Sequence, residues 1–185
     1  MPYIKVIEED KAEGKLTEIY QDIIGSRGKL SNIMQIQSLF PEAMKDHLKL
    51  YKTIMFTKSN LSRKLKEMIA IVVSVANKCP YCINHHAEAL NHYWKDRNKI
   101  NLLISDFHNL DMDLKSKSLL EYAYKLTLFP SKISESDISR IKSYGWNDED
   151  ILCVNLIISY FNFVNRIALG LGVEFNEEEM KGYNY

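Results

Sequence analysis

Residues 77–86 read Asn77-Lys78-Cys79-Pro80-Tyr81-Cys82-Ile83-Asn84-His85-His86, and the order of breaker, proline and cysteine decides how the middle of the chain folds. Pro80 has no N–H and disfavours the α conformation in the residue before it, so Cys79 is the natural N-cap and Pro80 the first residue of a new helix. Asn77-Lys78 breaks the helix that precedes it. Within the new helix Cys79, Cys82 and His86 are spaced three and then four apart, which stacks the three side chains on one face.

Working outward, Asn60 or Ser62 can cap a long helix to about Ala76, and the helix that starts at Cys79 runs to about Trp94. Glu67 lies twelve residues before Cys79, roughly 18 Å away on one unbroken helix. If the break at Asn77-Lys78 folds the second helix back beside the first, Glu67 comes level with His86. A contact between them, direct or through one water, is therefore expected. A carboxylate beside an imidazole fixes its tautomer and raises its basicity.

The rest of the chain follows the same style. Alternation of period two is almost absent, while apolar residues recur at spacings of three and four, so the chain reads as all-α. Leu16, Ile19, Tyr20, Ile23 and Ile24 form the first stripe, closed by Gly25 and Gly28. A short helix ends near Phe40, Pro41 starts one to about Phe56, and a weaker one spans about Arg97 to Ser105. The second half reads as Asp113 to Phe129, stopped by Pro130, then Ser134 to Tyr144 with a Ser134/Asp137 capping box and Gly145 as C-cap, then Asn147 to Leu169, ended by Gly170 and Gly172. One domain over residues 1–185 is expected, with the motif-bearing helices at about 60–95 and a second helical half at about 113–172.

Lys and Arg together number 24, as do Asp and Glu. The zero net charge gives no electrostatic argument for nucleic acid or an anionic membrane as partner, and the basic run Lys58 to Lys66 reads as a solvated helix face. The N-terminus lacks a positive-then-apolar leader, so a cytoplasmic location is the default expectation. The apolar stretch Ile151 to Val164 is interrupted by Asn155, Ser159 and Asn162 and is shorter than the roughly 20 residues of a membrane span, so it reads as a core helix.

Three cysteines are too few for a disulfide framework, and a Cys-x-x-Cys pair in a reducing compartment points to redox chemistry or a metal. The redox reading is preferred because no second Cys-x-x-Cys or His pair completes a zinc ligand set; no metal or cofactor is expected. Helix-dipole and capping arguments favour Cys79 as the more acidic thiol, whereas a base one turn away favours Cys82. His85 projects about 100° from His86 and reads as a surface or interface residue. Cys153, in Ile151-Leu152-Cys153-Val154, reads as a small core residue.

The run Glu67-x11-Cys79-x2-Cys82-x3-His86 resembles the signature of the AhpD-like alkylhydroperoxidases, within the carboxymuconolactone decarboxylase-like superfamily. The wider pattern, Lys66-Glu67-x2-Ala70, Val73-Ser74-x2-Asn77 and Tyr160-Phe161-Asn162-x2-Asn165-Arg166-x3-Gly170-Leu171-Gly172-Val173, resembles its peroxidase-related branch. The resemblance implies an AhpD-like helical fold with a central helix pair, a homo-oligomer (trimer or hexamer), and reduction of small hydroperoxides. By the same resemblance Cys82 is the peroxidatic thiolate, Cys79 the resolving thiol, and Glu67 with His86 the proton relay. The electron donor would be a protein or thiol reductant, a lipoylated adaptor in the relatives. Tyr81 stands where those relatives can carry a histidine, and a phenol of reference pKa near 10 is a poor base at neutral pH; Tyr81 and His85 are auxiliary candidates. The alternative is a thiol-disulfide exchanger or redox sensor that does not turn over peroxide. A lactone decarboxylase activity is disfavoured, because that branch does not rely on a Cys-x-x-Cys pair.

Overall fold

The computed structural model describes residues 1–179, 182 and 183. Among them nine α-helices follow one another without a strand: α1 (Lys15–Arg27), α2 (Asn32–Gln35), α3 (Pro41–Phe56), α4 (Arg63–Ala76), α5 (Pro80–Trp94), α6 (Arg97–Asp106), α7 (Leu114–Leu128), α8 (Glu135–Ser143) and α9 (Asp148–Leu171).

The centre is α4. Ser62 caps it by accepting from the Leu65 N–H at 3.2 Å, and every residue from Leu65 to Ser74 is buried. A helix covered on all sides must be surrounded by others, and α4 packs against α5, α7, α9 and α6. Ile69, Ile71 and Val73 are fully enclosed. Each contributes about 1.5–3 kcal/mol of apolar burial. One hydrophobic cluster runs from Leu16 to Ala168, so the two sequence halves share a core.

The turn that aims the motif is a helix C-cap of the Schellman type. The Cys79 N–H donates to the Ser74 carbonyl at 2.9 Å and the Lys78 N–H to the Val75 carbonyl at 3.0 Å. This needs a left-handed residue, and Lys78 supplies it at φ +55°, where a glycine is the usual choice. The chain spends about 1 kcal/mol or more of backbone strain there to reverse between α4 and α5. Cys79, extended at φ −99°, is then the N-cap of α5 with Pro80 as its first residue, as expected.

Two expectations are corrected. Lys66 is not on a solvated face: it is 2% exposed, and its ammonium donates to the carbonyls of Ile54 and Thr57, both at 3.0 Å. The end of α3 presents unpaired carbonyls at its negative pole, which hold the cation in the interior. Burial in turn lowers the Lys66 pKa. Helix α9 also passes Gly170 and ends at Gly172, which takes φ +65°. A side chain at Gly172 would meet the Tyr3 ring at 2.7 Å, so the N-terminal segment locks that end, with the Tyr3 N–H on the Leu171 carbonyl.

By length and composition α9 is apolar enough to cross a membrane, and half of its most apolar window is buried inside the molecule. Its Asn155, Asn162 and Asn165 are engaged with Tyr122, Thr127 and Ser74 of the surrounding helices, which is the wiring of a core helix.

Candidate active site

The reversal between α4 and α5 lays the two helices side by side and brings Glu67 to His86. The Glu67 Oε2 and the His86 Nδ1 are 2.6 Å apart, the direct contact expected from the spacing. Glu67 is completely buried and has a second partner that the sequence reading passed over: Arg63, one turn earlier, donates its Nε–H to Glu67 Oε1 at 2.7 Å. The Arg63 guanidinium also lies 3.9 Å above the Phe56 ring and donates to the Tyr51 hydroxyl. The only sequence signal for Arg63 was its i,i+4 relation to Glu67. Burial pushes the Glu67 carboxyl up, but His86 and Arg63 together outweigh it and hold the group below its ordinary value. Glu67 is therefore a fixed anion that orients one nitrogen of His86 and leaves the other turned away from it.

The thiols form a unit. Cys79 and Cys82 are both free thiols and buried, and each acts first on the acidity of the other. The Cys82 side chain, with the N–H groups of Cys82 and Tyr81 at the start of α5, outweighs burial and holds the Cys79 thiol below its ordinary value. Cys82 is pushed well up, first by the Cys79 side chain, then by burial and the charge on Cys79, while the Asn165 side chain opposes this. The helix-cap argument for Cys79 as the more acidic thiol describes this resting state. Asn165 has no exposed surface and also joins Asn77 at 2.9 Å and Ser74 at 3.2 Å. It thus ties α9 to the end of α4 through a buried polar bridge.

Access runs the other way. A cavity of about 90 Å³ is lined by Cys82, His85 and His86, by Phe161, and by the Tyr51, Tyr81 and Tyr160 rings. Cys79 is not on its wall. His86 packs edge-on to Phe161 at 4.5 Å. His85, expected to turn outward, instead lines the same cavity, because the C-terminal segment folds over it: Glu179, 4% exposed, pairs with His85. Glu179 also accepts from the Tyr81 hydroxyl at 3.0 Å, the Asn32 N–H at 3.1 Å and the Tyr183 hydroxyl at 2.9 Å. Burial pushes the Glu179 carboxyl up, yet His85 and these donors bring it below its ordinary value. Burial, reinforced by the Glu179 charge, keeps the Tyr81 phenol protonated. No local pattern links residue 179 to residue 81, so only the tertiary fold reveals this second carboxylate–imidazole pair.

Behind the cavity His47 is enclosed between Gln37 and the Tyr160 hydroxyl, at 2.7 Å from the latter, and burial lowers it to about 4. It is a neutral hydrogen-bonding strut. Cys153 is half-buried, 3.9 Å from Ser59 and away from the motif.

Fold and site together describe an all-α protein of AhpD-like fold with two buried thiols at a helix start, backed by a buried carboxylate hydrogen-bonded to an imidazole. Residues 41–106 match the model of the carboxymuconolactone decarboxylase family. The fold is similar to that of an uncharacterized peroxidase-related protein from Silicibacter sp. TM1040, at TM-score 0.83 and 26% identity over 97% of this chain and 92% of that one. It is also similar to a peroxidase-related protein with an alkylhydroperoxidase AhpD core from Ralstonia eutropha JMP134, at TM-score 0.86 and 21% identity over 97% and 94%. The debrominase Bmp8, solved with 2,3,4-tribromopyrrole, shares the fold at TM-score 0.79 and 18% identity over 95% and 92%. The similarity to this family thus lies in the 41–106 segment that carries the motif and, across the chain, in the fold.

Proposed function

We propose that this protein is a thiol-dependent hydroperoxide reductase working through Cys82, Cys79, His86 and Glu67. The observation that carries the reading is the placement of the Cys82 thiol, with Cys79 buried behind it, on the wall of a cavity that the Glu67-anchored imidazole also lines. Moving the Cys82 proton to Cys79 generates a Cys82 thiolate without exporting a proton. That thiolate attacks the distal oxygen of ROOH: the S–O bond forms, the O–O bond breaks, and Cys82 becomes a sulfenic acid. His86, held by Glu67, supplies the proton that the alkoxide takes up as it leaves as ROH. Cys79, deprotonated in turn, attacks the Cys82 sulfur. Water leaves and a disulfide closes. Two thiols are oxidised by two electrons and one hydroperoxide is reduced. A dithiol donor of low potential, free or lipoyl-borne, then reopens the disulfide by exchange.

The protein is assigned as one domain that works in the cytoplasm as a homo-oligomer. The exposed apolar side chains Leu152, Leu156 and Phe163 along α9 support contact between copies, since a solvated helix face would carry polar residues there.

The reading is tested by mixing reduced protein with cumene hydroperoxide in a stopped-flow cell. Rapid stoichiometric loss of peroxide is expected, with steady turnover when a dithiol is supplied. A disulfide that forms only by exchange with another disulfide, with peroxide untouched, makes the protein a thiol-disulfide exchanger instead.

A further inference from the structure

The tyrosines that line the cavity in front of Cys82 commit their hydroxyls differently. Tyr81 and Tyr183 both spend the hydroxyl proton on Glu179, at 3.0 and 2.9 Å, and Tyr81 also accepts from the Ile33 N–H at 3.2 Å. The Tyr51 hydroxyl is turned to Arg63 at 3.3 Å. Tyr160, on α9 and 5% exposed, is bonded to the His47 Nε2 at 2.7 Å. The direction of that bond decides what the phenol can offer the cavity.

Burial keeps His47 neutral, so only one of its ring nitrogens carries a proton. Gln37 determines which. Its Nε2 donates to the Ile33 carbonyl at 2.7 Å, which fixes that end of the amide as the nitrogen. The same Nε2 stands 2.8 Å from the His47 Nδ1, nearer than the Gln37 Oε1 at 3.1 Å. Two N–H groups do not face each other at that distance, so Nδ1 accepts the second Gln37 hydrogen and the imidazole proton sits on Nε2. Nε2–H then donates to the Tyr160 oxygen, and the Tyr160 proton is barred from His47. Burial first, then the charges of Tyr51 and Cys82, push the Tyr160 phenol well up. Tyr160 therefore keeps its proton and lies within electrostatic reach of the Cys82 sulfur.

We propose that Tyr160 is a hydrogen-bond donor to the bound hydroperoxide, its O–H meeting the oxygen that leaves as alkoxide, with His47 and Gln37 as the positioning residues that keep the proton available. The proposal rests on the hydroperoxide-reductase reading and adds a residue to it. As the S–O bond forms and the O–O bond breaks, negative charge gathers on the departing oxygen. A donor already aimed there lowers the barrier without giving up its proton. His86 supplies the proton that completes ROH, so the two groups divide charge stabilisation from proton transfer.

The experiment follows the first turnover of reduced, full-length wild type and Tyr160→Phe with tert-butyl hydroperoxide and with peracetic acid. An alkoxide is a poor leaving group that needs the donor, whereas acetate leaves readily without it. Tyr160→Phe is expected to slow the alkyl hydroperoxide by about a hundredfold, the cost of removing one such donor, and the peracid far less. The ratio of the two rates does not depend on how much of the variant is folded. Equal slowing of both oxidants, or no slowing of the alkyl hydroperoxide, overturns the proposal. If the wild type consumes neither oxidant, the reductase reading fails and this role falls with it. The donor is also read without turnover: nitrogen NMR of wild type labelled in its histidine rings is expected to show His47 with Nε2 protonated and Nδ1 bare at neutral pH. A protonated Nδ1 with a bare Nε2 would send the Tyr160 proton to His47 and overturn the proposal whatever the oxidants do.

Discussion

Replacing Cys79 with serine is expected to leave a protein that reduces one equivalent of hydroperoxide and then stops as a Cys82 sulfenic acid that reacts with dimedone, whereas Cys82→Ser consumes no peroxide and takes up no label. Resting acidity points the other way, since Cys79 is the thiol held low and Cys82 the one pushed up. Access decides. Cys82 lies on the cavity wall and Cys79 does not, and Cys79 has no exposed surface, so a peroxide oxygen reaches only Cys82 without repacking. The cost of using the less acidic sulfur is small because its proton has a neighbouring acceptor in Cys79. Serine at position 79 is a far poorer acceptor, so the single turnover of Cys79→Ser should also be slower than the first turnover of the wild type. Labelling of Cys82→Ser and not of Cys79→Ser would reverse the roles.

The second large effect is expected at Glu67. Glu67→Gln keeps the shape but removes the carboxylate that Arg63 and His86 share. Breaking a buried pair from one side costs about 3 kcal/mol, because Arg63, only 15% exposed at its side chain, keeps a charge with no anion beside it. Peroxide reduction should fall by about a hundred- to ten-thousand-fold, the usual range for loss of a positioned acid–base group. The pH dependence separates this from a general packing defect. The Glu67 carboxyl lies below its ordinary value of 4.5, so its contribution to stability is fully present above that value and is lost as pH falls through the depressed one. The stability gap between wild type and Glu67→Gln, read from urea unfolding, should therefore be constant from neutral pH to about 5 and close in more acid solution. A gap that persists unchanged at pH 3 would mean that the carboxylate charge is not what the variant lost.

How much of this was legible in the sequence depends on distance along the chain. Pro80 after Cys79 fixed a helix start, Asn77-Lys78 fixed the break before it, and helical repeat then placed Glu67 level with His86, where the contact of 2.6 Å lies. The helix ends followed the same local logic, as at Ser62 and the Ser134/Asp137 box. What was not legible came from residues whose partners are far away or whose charge misleads. Lys66 reads as solvent-facing until α3 is seen to end against it. His85 turns away from His86 on a helical wheel, yet it joins the cavity because Glu179, 94 positions later, covers it. Composition, with its balanced charge, does not show that Arg27 and Lys29 are among the described residues lining the cavity.

The most direct test of the dithiol mechanism is a mass-spectrometric count of free thiols in fully reduced protein before and after one equivalent of cumene hydroperoxide. The mechanism predicts three thiols before and one after, with Cys79 and Cys82 joined in a disulfide and Cys153 still free. Three free thiols after exposure, or loss of Cys153 with the motif pair intact, would contradict it.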